Sequence, residues 1–338
     1  MMSENAKVYQ LIGERELVVE QEQLVDVTAG MVRAKTQYSA ISPGTEVAAY
    51  RGAPPLRPMN VYPRLQGYCN VAEVVEIGAN VDGLSLGDLV YSHQSHRSDF
   101  VCDQSRLVPL PKGCNPAMMS TTYLFHLGYS ALLKGNYVPG ESVAVIGLGA
   151  LGLTSVAMGC LFGANVVGLS NLEEGRACAL QMGAHAVVEK SIDVARKALL
   201  VVSHGVGADL VVLTSSSWDD YRFALEIVRS GGRICMLGFP GREEQMPPFN
   251  PLDSRYFFDK QLTICTCGRT PCLDADPQDI RHTWKRNLEF LMGKINSGEL
   301  DPTPIMSKIV PWNELESVYC DMVDRTPGLV TAILNWSR

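Results

Sequence analysis

The chain has 338 residues, 46% hydrophobic and 19% charged, with 29 Lys and Arg against 36 Asp and Glu and a formal net charge of −7 at pH 7. That length exceeds what a single hydrophobic core usually sustains, so two domains are expected, and the ordinary balance of apolar and charged residues excludes a disordered or fibrous chain. The acidic charge argues against nucleic acid as a partner, because a polyanion is gripped by a surplus of Lys and Arg that displaces counterions.

The opening residues Met1-Met2-Ser3-Glu4-Asn5 hold no basic-plus-apolar signal segment. No apolar run reaches the roughly 18 residues that span a bilayer. A soluble, cytoplasmic protein with no membrane partner is therefore expected, and the ten scattered cysteines are read as reduced thiols.

In chain order, Leu17–Val19, Met31–Lys35, Val71–Gly78 and Asp88–Tyr91 read as short strands. Gly and Pro lie between them, which suggests a small, mostly β domain. From about Tyr123 the texture changes. Compact apolar runs at Ser142–Gly147, Asn165–Leu169, Ala186–Val188, Asp209–Leu213, Arg233–Leu237 and Leu262–Cys265 alternate with helix-length segments. Parallel strands need such long crossovers, so these runs predict an α/β doubly wound parallel sheet. Pro240–Asp253, polar and Pro-rich, reads as a loop. Beyond Cys272 the sequence predicts a helix over His282–Ser297 and two strand-like pieces, the last ending at Leu334. The simplest arrangement returns these to the first domain. It gives a β domain of residues 1–124 with 273–338, and an inserted α/β domain of residues 125–272.

The turn Gly147-Leu148-Gly149-Ala150-Leu151-Gly152 follows the apolar strand Val143–Ile146 and leads into a helix. In such a turn the first glycine permits the tight bend, the second lets the backbone approach a pyrophosphate, and the third allows helix and strand to pack closely. The helix N-terminus adds N–H groups and a favourable dipole. Gly147, Gly149, Ala150, Leu151 and Gly152 are thus candidate dinucleotide contacts, the alternative being a structural glycine turn. About twenty residues on, where an NAD site places a carboxylate against the ribose hydroxyls, stand Ser170 and Asn171, with Arg176 following. With no carboxylate to repel a 2′-phosphate and an arginine to pair with it, NADP(H) is preferred over NAD(H). Against this, Arg176 reads equally as a solvated helix residue and Ser170 as an N-cap. Thr214, Gly238 and Phe239 stand at strand ends on the carboxyl edge of the sheet, where open α/β folds bind ligands, and Arg269 follows the sixth strand as a further phosphate contact.

With this turn, the β-rich first third and the C-terminal return, the sequence resembles the medium-chain dehydrogenase/reductase superfamily over essentially its full length. Gly67-Tyr68-Cys69-Asn70-Val71-Ala72-Glu73-Val74-Val75-Glu76-Ile77-Gly78, Gly87-Asp88-Leu89-Val90, Leu107–Pro111 and Gly183-Ala184 carry the likeness. The resemblance implies a Rossmann domain inserted in a GroES-like catalytic domain, a substrate in the cleft between them, and a homodimer. Zinc-bearing members of that superfamily have a Cys and a His as catalytic-metal ligands. Here Ser42 and Tyr68 occupy the corresponding stretches, and the four-cysteine lobe of structural zinc is missing. Neither a serine nor a tyrosine is a usual zinc ligand, so no zinc is expected. Ile41-Ser42-Pro43-Gly44-Thr45-Glu46 resembles the loop of the zinc-less branch that includes bacteriochlorophyllide a dehydrogenase-like proteins.

Without a metal, the charge that develops on a reacting oxygen must be met by hydrogen-bond donors. Tyr68 is the candidate proton donor and Ser42 or Thr45 its relay, against the alternative that Tyr68 packs and Ser42 shapes a turn. His126 is a candidate for the nicotinamide cleft, against the alternative of a satisfied structural histidine. His93 and His96 flank a loop that borders the predicted substrate pocket, and read more readily as surface residues. Cys69 is a candidate redox-sensitive thiol. Cys265, Cys267 and Cys272 form a cluster read as free thiols rather than a metal site. The expected activity is hydride transfer between the nicotinamide and a small or cyclic alcohol, ketone or enone. Quinone or enoyl reduction and a non-catalytic NADPH-binding sensor remain open.

Overall fold

The computed structural model describes residues 5–56, 62–267 and 281–337. Two compact units divide the chain: residues 1–123 with 284–338, and residues 124–283.

The first unit is built on strands β1 (Asn5–Gly13), β2 (Glu16–Gln23), β3 (Met31–Ala40), β4 (Arg64–Leu65), β5 (Asn70–Ile77), β6 (Leu89–Ser92), β7 (Asp99–Asp103) and β8 (Val108–Pro109), with helices α1 (Pro43–Tyr50) and α2 (Pro116–Met119). β1 is flanked by β2 and β4 in a small antiparallel sheet. The larger sheet centres on β3, which pairs antiparallel with both β5 and β7. Its registers bring three strand ends level. Ser39, at the end of β3, opposes Asn70 at the start of β5, and Asn70 opposes Ser92 at the end of β6. The segments that follow β3, precede β5 and follow β6 therefore leave the sheet at one end. Alternation puts Val32, Ala34, Ala72, Val74, Val90 and Phe100 into a shared core.

Helix α3 (Thr122–Lys134) leads into the second unit, where β9 (Ser142–Ile146), α4 (Ala150–Leu161), β10 (Asn165–Leu169), α5 (Glu173–Gln181), β11 (Ala186–Val188), α6 (Ile192–Val202), β12 (Ala208–Leu213), α7 (Trp218–Ile227), β13 (Val228–Met236) and β14 (Thr263–Thr266) follow. The strands form one six-stranded sheet in the order β11-β10-β9-β12-β13-β14. Every neighbouring pair is parallel. This is the doubly wound sheet expected from the sequence. Strands covered on both faces read as unbroken apolar runs rather than alternating ones, and all five residues of β9 are buried.

The chain then returns to the first unit through α8 (Trp284–Asn296), β15 (Met306–Pro311), α9 (Leu315–Val323) and β16 (Thr331–Asn335). β16 joins the larger sheet beside β3, with Ile333 opposite Ala40. Tyr319 of α9 and Trp336 after β16 pack with Ile41, Ala49 and Tyr50 around α1. The C-terminal segment thus encloses the helix that carries Ser42 at its head. Among the described residues, no helix is long and apolar enough to cross a membrane.

Candidate active site

In the second unit the glycine turn has the geometry that its spacing predicts. Gly147 has φ +88°, the left-handed region that glycine enters without a Cβ penalty. A Cβ on Gly152 would fall 1.7 Å from the Gly147 carbonyl oxygen, so this position admits no side chain while α4 packs against the turn. A Cβ on Gly149 would meet nothing within 4 Å. Gly149 is the N-cap of α4, and no side chain caps the helix there. Ala150 and Leu151 open the helix, so its N–H groups and dipole face a position that the glycine leaves accessible, as a dinucleotide phosphate requires.

Around this turn the predicted contacts divide. The Thr214 hydroxyl lies 2.8 Å from the Gly147 carbonyl and 3.0 Å from that of Ile146, so it braces the turn from beneath. The Gly238 N–H donates to the Leu213 carbonyl at 3.1 Å. The Phe239 ring carries the Arg242 guanidinium 4.9 Å from its centroid. At the end of β10, Ser170 accepts the Leu172 N–H at 3.1 Å, and Asn171 accepts the Lys190 N–H at 3.0 Å. The Arg176 guanidinium donates to the Ser170 carbonyl at 2.7 Å, which folds it back over that strand end. A cavity of about 560 Å³ opens beside these residues, lined by Asn171, Lys190, Ile192, Ser217 and Asp220 among others. Lys190, 2.8 Å from Asp220, is a cation that the sequence reading missed. Arg269 and Cys272 lie outside the described residues. His126 is buried in α3, its Nε2 3.4 Å from the Ser130 hydroxyl one turn on.

The first unit brings Ser42, Thr45 and Tyr68 together. Ser42 is the N-cap of α1, with Pro43 behind it. An N-cap serine usually accepts a backbone N–H of the first turn. Here it makes no such bond, and its Oγ instead accepts the Tyr68 hydroxyl at 2.5 Å. Burial pushes the Tyr68 phenol well above its ordinary pKa, the buried Cys69 adds to this, and hydrogen bonds with Ser42 and Thr45 pull it back. The phenol therefore remains protonated at neutral pH and is a donor. Its backbone is held by Tyr91, whose hydroxyl donates to the Tyr68 carbonyl at 2.9 Å.

Two expectations are corrected. His96 is not a surface residue: it is fully buried, 2.8 Å from Glu46 through Nε2 and 2.8 Å from the Ser39 hydroxyl through Nδ1. Cys69 is not an exposed redox thiol, because it is fully buried and burial raises its pKa. His93 does meet solvent. The rings of Trp284, Tyr123 and Tyr91 stand 4.6, 4.7 and 5.5 Å from it, so it sits in a concave part of this unit. Desolvation there pushes its pKa down to about 4. Tyr123 also meets the Tyr68 ring edge-on at 5.5 Å, which joins His93 and Tyr68 into one aromatic row.

The side chains at the ligand positions of zinc-bearing relatives do not suit a zinc ion. Ser42 and Tyr68 are hydroxyls bonded to each other, not the thiolate, imidazole or carboxylate donors that zinc usually takes. Among the described residues, no group of three or more His, Cys, Asp or Glu could hold a metal ion. Cys265 and Cys267 are free, as is Cys235, which pairs with Cys265 in the sheet. Contact with Cys235 draws the Cys265 thiol down to about 7.

A six-stranded parallel sheet with a glycine turn at a helix head is the arrangement in which a dinucleotide-dependent oxidoreductase holds its cofactor. Residues 150–291 match the family model described as "Zinc-binding dehydrogenase". The sequence is 26% identical over 172 residues to sorbitol dehydrogenase of Bacillus subtilis (strain 168), covering 51% of this chain and 44% of that one. It is 22% identical over 325 residues to D-guloside 3-dehydrogenase of Escherichia coli (strain K12), covering 89% of this chain and 91% of that one. The crystal structure of 2R,3R-butanediol dehydrogenase from Bacillus subtilis superimposes with a TM-score of 0.80 at 16% identity, covering 98% of this chain and 99% of the other. The chain is thus similar to medium-chain dehydrogenases of the zinc-type alcohol dehydrogenase-like kind, and these likenesses support an NAD(P)-dependent oxidoreductase.

Proposed function

We propose that this protein is a zinc-independent oxidoreductase of the zinc-less branch, preferring NADP(H), that interconverts a small or cyclic alcohol and its ketone. The observation that carries this reading is the 2.5 Å contact of Tyr68 with Ser42 at the head of α1. A nicotinamide dinucleotide, when bound, supplies or accepts the hydride. The chain's own residues manage the oxygen and its proton. In the reducing direction Tyr68 gives its proton to the substrate oxygen as negative charge grows there. The resulting phenolate is met by the hydroxyls of Ser42 and Thr45 and by the positive end of α1, and a proton returns along the same hydroxyls. Alcohol oxidation runs these steps in reverse.

The cofactor preference rests on the end of β10. Ser170 and Asn171 offer no carboxylate to repel a 2′-phosphate, and Arg176, anchored on the Ser170 carbonyl, keeps a cation beside it. The relatives named as sorbitol, D-guloside and butanediol dehydrogenases favour polyol and secondary-alcohol substrates over isolated double bonds. A homodimer and a cytoplasmic setting complete the reading.

The test monitors nicotinamide absorbance against a panel of polyols, vicinal diols, cyclic ketones, enones and quinones. Turnover that prefers the phosphorylated cofactor, survives chelator and is lost in Tyr68→Phe supports the proposal. Tight NADPH binding without turnover on any of these compounds would identify a sensor instead. Turnover confined to enones or quinones would replace the alcohol assignment.

A further inference from the structure

Beneath Tyr68 and Ser42 lies a buried polar cluster that the proposed reaction does not consume. Glu46 is 2% exposed and accepts three donors: the Ser42 backbone N–H at 2.6 Å, the Tyr319 hydroxyl at 2.5 Å, and His96 Nε2 at 2.8 Å. On its far side, His96 Nδ1 lies 2.8 Å from the Ser39 hydroxyl, which accepts the Trp336 indole N–H at 2.9 Å. His96 spans from the Ser39 hydroxyl to the Glu46 carboxylate. Every member thus has a partner in a site where a lost hydrogen bond is costly.

The cluster holds both segments that present the reacting hydroxyls. Glu46 fixes the backbone of Ser42. His96 fixes the turn before Tyr68: its N–H donates to the Gln66 carbonyl at 2.7 Å, and its ring lies against Gly67, where a Cβ would come within 2.6 to 2.7 Å of three ring atoms. Gly67, at φ +85°, is thus the residue that lets the ring approach. Reacting groups must be held to within about half an ångström to keep their full effect. We infer that Glu46 and His96 are positioning residues that set the separation of the Tyr68 and Ser42 hydroxyls. This inference rests on the proposed role of Tyr68.

The experiment combines E46Q, H96Q and Y68F, singly and as the double variants E46Q/Y68F and H96Q/Y68F. First, the short Tyr68 to Ser42 hydrogen bond should give a far-downfield hydroxyl proton resonance, assigned by its loss in Y68F; this readout needs no substrate. The resonance is expected to move upfield or vanish in E46Q and H96Q, and its persistence unchanged in both would overturn the inference. Second, on the panel compound that wild type turns over fastest, each single variant should lose about 10- to 100-fold in kcat with KM changed less than about threefold. NADPH affinity, read by fluorescence titration, should not change. In the Y68F background neither substitution should lower kcat further, because the hydroxyl on which it acts is gone. Losses that multiply would mean general structural damage and would overturn the inference while leaving the role of Tyr68 intact. Full activity of Y68F would instead remove the reading beneath it. H96Q serves if E46Q does not fold.

Discussion

The Tyr68 hydroxyl donates to Ser42 Oγ across 2.5 Å at the head of α1, so a helix N-cap side chain is diverted from its own helix to a phenol 26 residues away. If that phenol is the proton donor, Tyr68→Phe should lower kcat by about 10²- to 10⁴-fold, the usual worth of a general acid. The NADPH dissociation constant should stay as in wild type. Ser42→Ala should cost less, because Thr45 also bonds to the phenol. Steady-state kinetics with parallel cofactor titrations separates these effects.

Two glycines of one turn should fail differently. Gly149→Asp faces open space, so the variant should fold with a melting temperature near wild type yet lose pyridine-nucleotide binding by about 100-fold or more, since a carboxylate then meets the pyrophosphate. Gly152→Ala places a Cβ 1.7 Å from the Gly147 carbonyl oxygen and should destabilise by about 3 kcal/mol, the upper end of overpacking costs. Denaturant unfolding and cofactor titration on both proteins check the contrast.

Cofactor choice should follow the end of β10. Arg176→Ala removes the guanidinium that rests on the Ser170 carbonyl, and should weaken NADPH by about 10-fold while sparing NADH. Ser170→Asp should shift preference toward NADH. An Arg176→Ala protein with unchanged discrimination would refute the assignment.

His93 supplies a pH prediction. Desolvation holds its pKa at about 4, below the ordinary histidine value of 6.5. In the folded state the ring is therefore neutral across the physiological range. Because the unfolded chain binds the proton more readily, the contribution of His93 to stability is present above pH 6.5 and is lost as pH falls toward 4. A proton NMR titration of the assigned His93 ring should find its midpoint near 4. His93→Gln should flatten the acid side of the stability profile between those two values.

The cofactor unit was legible because its strands are continuous apolar runs separated by helix-length segments. The largest boundary error, at β13, reflects Gly231 and Gly232, which do not read as strand although β13 begins at Val228. β1 went unread, although Ala6, Val8 and Leu11 do point inward from it. The buried cluster was illegible for a different reason. His96 stands in the polar run Ser92-His93-Gln94-Ser95-His96-Arg97, where nothing local signals burial, and its partner Glu46 is fifty residues away. The nearest signal was imperfect: Glu46 lies four residues after Ser42, one beyond the three-residue capping-box spacing, although its carboxylate does accept the Ser42 N–H. The convergence of the two segments depends on the registers of β3, β5 and β6, which no single-strand pattern encodes.

The most direct measurement compares the metal content of purified protein with its turnover before and after exhaustive chelation. The hydroxyl mechanism predicts substoichiometric metal and an undiminished rate that Tyr68→Phe then removes. Stoichiometric zinc whose removal abolishes turnover, and whose return restores it, would contradict it.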